Sequence, residues 1–305
     1  MKNSYTAGHF ELAIDGHDST AYLKSIDGGY VRASVIDEPI GPHNQRVKHT
    51  STVDIEPFTV DFGLSGANDV LKWIQDSWRK NWNRRNGQIT HANFDLFQTF
   101  VHDFYEALIT ETTFPTLDGA SKDAAYIKIK VQPERVVTTK QDGQRVKSNL
   151  GPKQKLWMCS GFRLTLEKVA DLEYANKIES FTIKQGVKKL YVGAERFPQI
   201  EPTKIEFPNI VGTISTAYAA GLFKWYDQYV VKGQSDTKAQ TTGALEFLSP
   251  DRAKVLFRIN LYEVGIHHLQ IMQSTANTDA IKRCKFELYV GRMDIDGSGE
   301  LGMEG

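Results

Sequence analysis

The run Asp294-Ile295-Asp296-Gly297-Ser298-Gly299-Glu300-Leu301 places side-chain oxygens at alternating positions around a glycine bend, as a calcium loop begins. The twelfth position of such a loop needs a bidentate Glu, but Gly305 stands there, with Glu304 one place early and no room for an exit helix. An acidic, flexible terminus is the better reading. His267 and His268 are adjacent, so on a strand they point to opposite faces and cannot share one metal. His9, His17, His43, His49, His91 and His102 are scattered and read as surface or hydrogen-bonded imidazoles. The Asp296-Gly297-Ser298-Gly299 run lacks the Gly-x-Ser-x-Gly spacing of a nucleophile elbow, and neither a phosphate loop nor a dinucleotide fingerprint occurs. Trp73, Trp78 and Trp82 with Arg79, Lys80, Arg84 and Arg85 could stack on single-stranded nucleic acid and neutralise it, although an amphipathic helix with a basic cap gives the same pattern. No catalytic, cofactor or metal site assembles from these residues.

Composition excludes further classes. Hydrophobic residues make up 40% and charged residues 24% of 305, with 16 Phe, 12 Tyr and 5 Trp, which is the composition of a folded chain with room for two domains. Lys plus Arg balances Asp plus Glu at 37 each, so net charge points to no polyanionic partner and no acidic membrane surface. Cys159 and Cys284 cannot form a disulfide framework or zinc cage and read as small buried hydrophobes in a reducing compartment. The amino terminus lacks the apolar core of a signal peptide, and no stretch has the ~20 apolar residues of a membrane helix.

The elements that would position any site repeat. Phe162 lies 152 positions after Phe10, and the same step relates Leu12 to Leu164, Tyr22 to Tyr174, Ile26 to Ile178, Lys72 to Lys224 and Trp73 to Trp225. Farther along the step is 157, taking Tyr105-Glu106 to Tyr262-Glu263 and Lys128 to Lys285. Each half opens with an alternating strand, Phe10 to Ile14 or Phe162 to Leu166, and has a second at Val53 to Ile55 or Lys204 to Phe207. Helices are predicted over Asn68 to Trp82 and Ser215 to Val230, with Val70, Trp73, Ile74 and Trp78, or Leu222, Trp225, Tyr226 and Tyr229, on one face. Strands at Ala125 to Val131, Ala253 to Tyr262 and Arg283 to Val290 complete the pattern. The fold class is mainly β within α+β: two tandem barrel or sandwich domains, each with one flanking helix. The expected bounds are 1–134 and 157–296, with a basic polar linker at 135–156 and a flexible acidic tail at 297–305. Phe10, Tyr22, Trp73, Phe162, Tyr174 and Trp225 are the expected core anchors.

With the F-x-L-x-I/L opening strand, a long polar excursion, a strand, a helix bearing Leu71-Lys72-Trp73 or Phe223-Lys224-Trp225, and the closing stretch Phe257 to Asp294, each half resembles the tail tube protein of contractile-tailed phages. Relatives of that family form the tubes of phage-like contractile injection systems. The resemblance implies a non-catalytic structural protein, assembled in the bacterial cytoplasm and resident in a virion tail or injection particle, whose neighbours are tube, baseplate or spike and hub proteins. Family members usually carry one such domain and stack as hexameric rings. Two domains per chain imply three chains in a six-domain ring, or six chains with twelve domains. The polar excursions, Val31 to Thr50 and Val187 to Lys204, would reach toward the neighbouring ring through Val31, Pro39, Gly41, Arg46, Lys48, Val187, Tyr191, Arg196 and Pro198; partner contact is the preferred reading, and a flexible surface loop is the alternative. A reading of another class is a carbohydrate- or protein-binding module with aromatics around Trp78 and Trp82 as its contact face.

Overall fold

The computed structural model describes residues 8–16, 21–43, 45–64, 67–140, 143–146, 157–193, 195–273 and 281–297. The side chain of Tyr22, His17, most of the segment read as a linker and the tail from Ser298 onward lie outside the described residues.

In the first half, β1 (His9–Ile14), β2 (Ala21–Gly28), β5 (Phe58–Phe62), β6 (Arg85–Ala92), β7 (Gln98–Phe114) and β9 (Ile127–Gln132) form a closed barrel in the order β7-β6-β1-β2-β5-β9, with β9 returning to β7. All pairings in that circuit are antiparallel. Alternation explains the arrangement, since Phe58, Val60 and Phe62 point into the barrel while Thr59 and Asp61 between them stay partly exposed. The short β8 (Leu117–Asp118) and β10 (Arg135–Lys140) complete this half, and β10 lies on β7, so the segment read as linker begins with a strand. Helix α1 (Asn68–Trp78) buries Val70, Leu71, Trp73, Ile74 and Trp78 on one side. It ends four residues earlier than predicted because Lys80 turns into the left-handed region at φ 62°.

The second half repeats this plan through β11 (Phe162–Leu166), β12 (Ala175–Ile178), β15 (Ile210–Ser215), β16 (Thr241–Leu248), β17 (Val255–Ile271) and β18 (Arg283–Asp296). Its helix α2 (Ala220–Tyr226) passes into a π-helical turn, Asp227–Val231, and is preceded by a 3₁₀ turn whose Ser215 hydroxyl accepts from the Ala217 N–H. The registers are conserved pair by pair: Val60 opposite Ile129 becomes Gly212 opposite Phe286, and Leu12 opposite Ile89 becomes Leu164 opposite Leu245. Irregularities repeat too. The shift between Ile109 and Glu111 recurs between Ile266 and His268, and the left-handed Glu106 recurs as Glu263. A bulge is one extra residue at one place in a ladder, so coincident bulges mark one ancestral backbone. Gly87 and Gly243 occupy one register position, where a β-carbon would collide with Phe104 and the Ala13 carbonyl, or with Leu166 and the Thr165 carbonyl.

The two excursions are β-hairpins and not loops: β3 (Val31–Ile40) with β4 (Gln45–Ile55), and β13 (Phe181–Leu190) with β14 (Gln199–Glu206). Most side chains in the outer part of β3–β4 are exposed, so the ladder has no hydrophobic alternation to betray it.

The halves share one core. β13 pairs with β7 of the first half, Phe181 opposite Phe114 and Lys184 opposite Glu111, and β8 of the first half pairs with β12 of the second. Phe114 stacks on Phe181 at 5.1 Å and on Phe247 at 5.6 Å, and meets Trp78 at 6.2 Å. Trp157 packs edge-on against Phe247 and Phe257. Among the described residues the second barrel leaves β11 and β12 unpaired with each other, unlike β1 and β2.

Truncating this central ring, Phe114→Ala, is expected to destabilise by about 3–5 kcal/mol. Both halves should respond together, with one urea transition shifted in circular dichroism and tryptophan fluorescence alike. Two separated transitions, only one of them displaced, would contradict a shared core.

Candidate assembly surfaces

The docked hairpin β13–β14 shows how one unit of this fold grips the next. Beyond the backbone ladder, the Thr113 and Thr182 hydroxyls meet at 2.8 Å, the Ser180 hydroxyl donates to the Phe114 carbonyl, and the Trp82 indole N–H donates to the Gln185 side chain. Arg84 donates to the Ile200 carbonyl and the Glu201 carboxylate, Glu134 accepts from the Ile200 N–H, and Lys189 reaches Asp54. Helix α1 is fixed to the second half by a bidentate pair, Arg79 to Asp294 at 2.9 and 2.8 Å. Hydrogen bonding to Asp294 raises the Arg79 pKa.

The corresponding hairpin β3–β4 forms a sheet of its own two strands. Tyr30 at its base and Val31, Val35, Ile40 and Val47 along it are exposed. A lone two-stranded hairpin is at best marginally stable in water, and an exposed edge invites another strand. A second bare edge lies on β17. Residues 255–264 of β17 pair with β16 on one side, whereas Ile266 to Ile271 pair only with β18 among the described residues. Ile271 and Met272 are exposed there, 52% and 41%. Val231 at the end of the π turn is 66% exposed.

The structure distributes the residues expected from sequence as follows. Val31 and Pro39 lie on β3, Arg46 and Lys48 on β4, and Gly41 in the turn between them at φ 66°. Val187 is half-buried on β13, Tyr191 and Arg196 are exposed in the turn, and Pro198 is buried. Trp73, Phe162 and Trp225 are buried and Phe10 packs against the core. Tyr174 corrects the expectation for a core anchor: it sits half-exposed at the end of a 3₁₀ turn and stacks on Tyr218 at 4.2 Å. The basic and aromatic cluster does not form a nucleic-acid face, because Trp73 and Trp78 are buried and Arg79, Arg84 and Arg85 each hold carboxylates. The same burial of Trp78 removes the paired tryptophan contact face of a binding module. Cys159 and Cys284 are buried, and burial pushes both thiols up. Among the described residues no group of His, Cys, Asp and Glu could hold a metal ion, and no helix is long and apolar enough to cross a membrane. The bare edge of β17 and the exposed Val231 were not singled out by sequence reasoning; the signal was a pair of valines, Val230-Val231, where the first half has Trp78-Arg79.

Residues 6–137 match the family described as T4-like virus tail tube protein gp19. That match falls within the first half and spans less than half of the chain. A chain of the PVC sheath-tube complex of an extracellular contractile injection system, in its extended state, is similar at TM-score 0.41 and 17% identity, over 46% of this chain and 95% of that one. A chain of the tube-terminating cap of the anti-feeding prophage is similar at 0.38 and 15%, over 46% and 95%. Hcp1 from Flavobacterium johnsoniae is similar at 0.27 and 12%, over 46% and 97%. No curated protein matches the sequence. Likenesses this low do not bear on function.

Within the first half, His91 and His102 sit ring to ring at 4.9 Å between Phe10 and Tyr30, at the foot of the exposed hairpin. Burial, with His102 adding to it, lowers the His91 pKa to about 4, and burial lowers that of His102. A histidine whose folded pKa is depressed contributes stability that is fully present above its unfolded value of about 6.5 and lost as pH falls toward the folded value. The second half has Phe247 at the position of His91. The His91→Phe variant should therefore lose less stability than the parent between pH 6.5 and 4, measured by urea midpoints. Parallel loss in both proteins would exclude His91 as the titrating group.

Proposed function

We propose that this chain is a ring-forming component of a contractile tail or phage-like injection apparatus, in which two fused tube-type units replace two neighbouring subunits. Three chains then close a six-unit ring around a channel, threefold in detail and near-sixfold in outline. The observation that carries the reading is the docking of one unit's hairpin on the next unit's strand within a single chain, β13 on β7, between halves whose registers and bulges coincide. In this reading residues 1–134 and 157–296 are the two units, 135–156 connects them with β10 belonging to the first barrel, and 297–305 is an acidic tail. The hairpin tips carrying Pro39, Gly41, Arg46 and Lys48, and Tyr191, Arg196 and Pro198, serve contacts with an adjacent ring. The particle assembles in the bacterial cytoplasm, and the neighbours are tube, baseplate or spike and hub proteins. A threefold ring suits a position where a threefold spike or hub meets a sixfold tube. No catalysis is assigned to it.

Negative-stain imaging and mass photometry of the purified chain, alone and with tube partners, test this. The expected species has three times the 34.4 kDa chain mass and a six-lobed outline with a central opening. A twelve-lobed particle would replace the trimer by six chains. A monomer at high concentration and in the presence of tail partners would overturn the ring.

A further inference from the structure

Resting on the ring reading, we infer that the exposed hairpin β3–β4 of one chain adds to the bare edge of β17 in the next chain, in the register that β13 takes on β7 within a chain. The internal repeat supplies the template. Residues of β13 map onto β3 by the 152 step and those of β7 onto β17 by the 157 step. Thr182 opposite Thr113, Ile183 opposite Thr112 and Lys184 opposite Glu111 then become Tyr30 opposite Gln270, Val31 opposite Leu269 and Arg32 opposite His268 of the neighbour.

Four features of the chain agree. The template edge of β7 and its image on β17 carry the same bulge one step before the docking site, so the image backbone has the curvature that the incoming strand meets. The image edge is unpaired from Ile266 to Ile271 among the described residues, which is where the template edge takes up β13. The donor is a complete hairpin whose base is exposed, with Tyr30 51% and Val31 46% accessible, and which among the described residues has no third strand to stabilise it. The flanking contact also maps onto matched chemistry. The Arg79–Asp294 pair, which clamps α1 to β18, maps onto Val231 and Val137, so an ion pair is replaced by two aliphatic side chains, one of them 66% exposed. An exposed valine gains little from water but is buried favourably against another.

One image contact reverses sign. Lys189 on Asp54 maps onto Asp37 near Glu206, but each carboxylate has its own cation, Arg46 for Asp37 and Lys204 for Glu206. The four charges can form an alternating cluster. The interface is head-to-tail, so it continues until the ring closes. Strand addition of this kind takes its affinity from main-chain hydrogen bonds and its register from the side chains.

A double-cysteine variant, Tyr30→Cys with Gln270→Cys, tests the register, because the template pair at these positions brings its hydroxyls to 2.8 Å. Mild oxidation of the assembled full chain should give an SDS-resistant ladder ending at the closed trimer, while either single variant gives no ladder. The off-register pair Arg32→Cys with Gln270→Cys should react at least tenfold more slowly. Rings that form but crosslink only through the off-register pair would overturn the inference and leave the ring reading standing. Absence of rings in the parent protein would overturn both. As a second readout, Val231→Asp should weaken trimer formation at least tenfold with the circular dichroism spectrum unchanged; unaltered assembly would remove the Val231–Val137 contact from the interface.

Discussion

A β-strand edge exposes a row of N–H and C=O groups that must be paired, by another strand or by water, and the whole molecule is arranged around this requirement. The first barrel meets it by closing on itself, β9 returning to β7. The second half of β7 leaves one edge outside that circuit, and β13 covers it from the other half of the chain. Phe114 stands where the covering begins. Its stacking on Phe181 and Phe247 converts a backbone ladder into a common hydrophobic interior, so the two halves are fused by packing as well as by covalent linkage.

Duplication made two copies of the same grip, but only one can be satisfied inside a chain. β13–β14 is held by a ladder, two hydroxyl contacts and several charge pairs, while β3–β4 stands with its apolar residues in solvent. Divergence has followed that difference. Polar and aromatic anchors sit at the internal contact, Trp82, Arg79 and Arg84, whereas aliphatic residues, Val230 and Val231, occupy the equivalent outer surface. The same divergence placed a phenylalanine in the second barrel where the first has the half-buried His91, whose pKa burial lowers.

Much of the architecture could be read from residue order. Alternation in Phe58 to Phe62 and Phe162 to Leu166 gave strands, and the three- and four-residue spacing of Val70, Trp73, Ile74 and Trp78 gave a helix with one buried face. These signals are local, arising because one side of each element meets the core and the other meets water. The outer part of the hairpin β3–β4 was not legible, since it is wet on both faces and its strand character comes from cross-strand hydrogen bonds that leave no periodic trace. The early end of α1 likewise depended on the left-handed turn at Lys80, which no residue type enforces there.

By itself, then, the sequence determined that the chain is a duplicated, mainly β protein with its aromatic anchors at matching positions, because a repeat is visible wherever the residues that pack are retained. Tertiary structure alone decided which edges are used and which are left bare. The 152 and 157 steps align Phe114 with Ile271 and Tyr30 with Thr182, but nothing in that alignment says that Phe114 is covered and Ile271 is not. Strand pairing joins residues far apart in the chain, and whether an edge finds its partner is set by geometry in three dimensions.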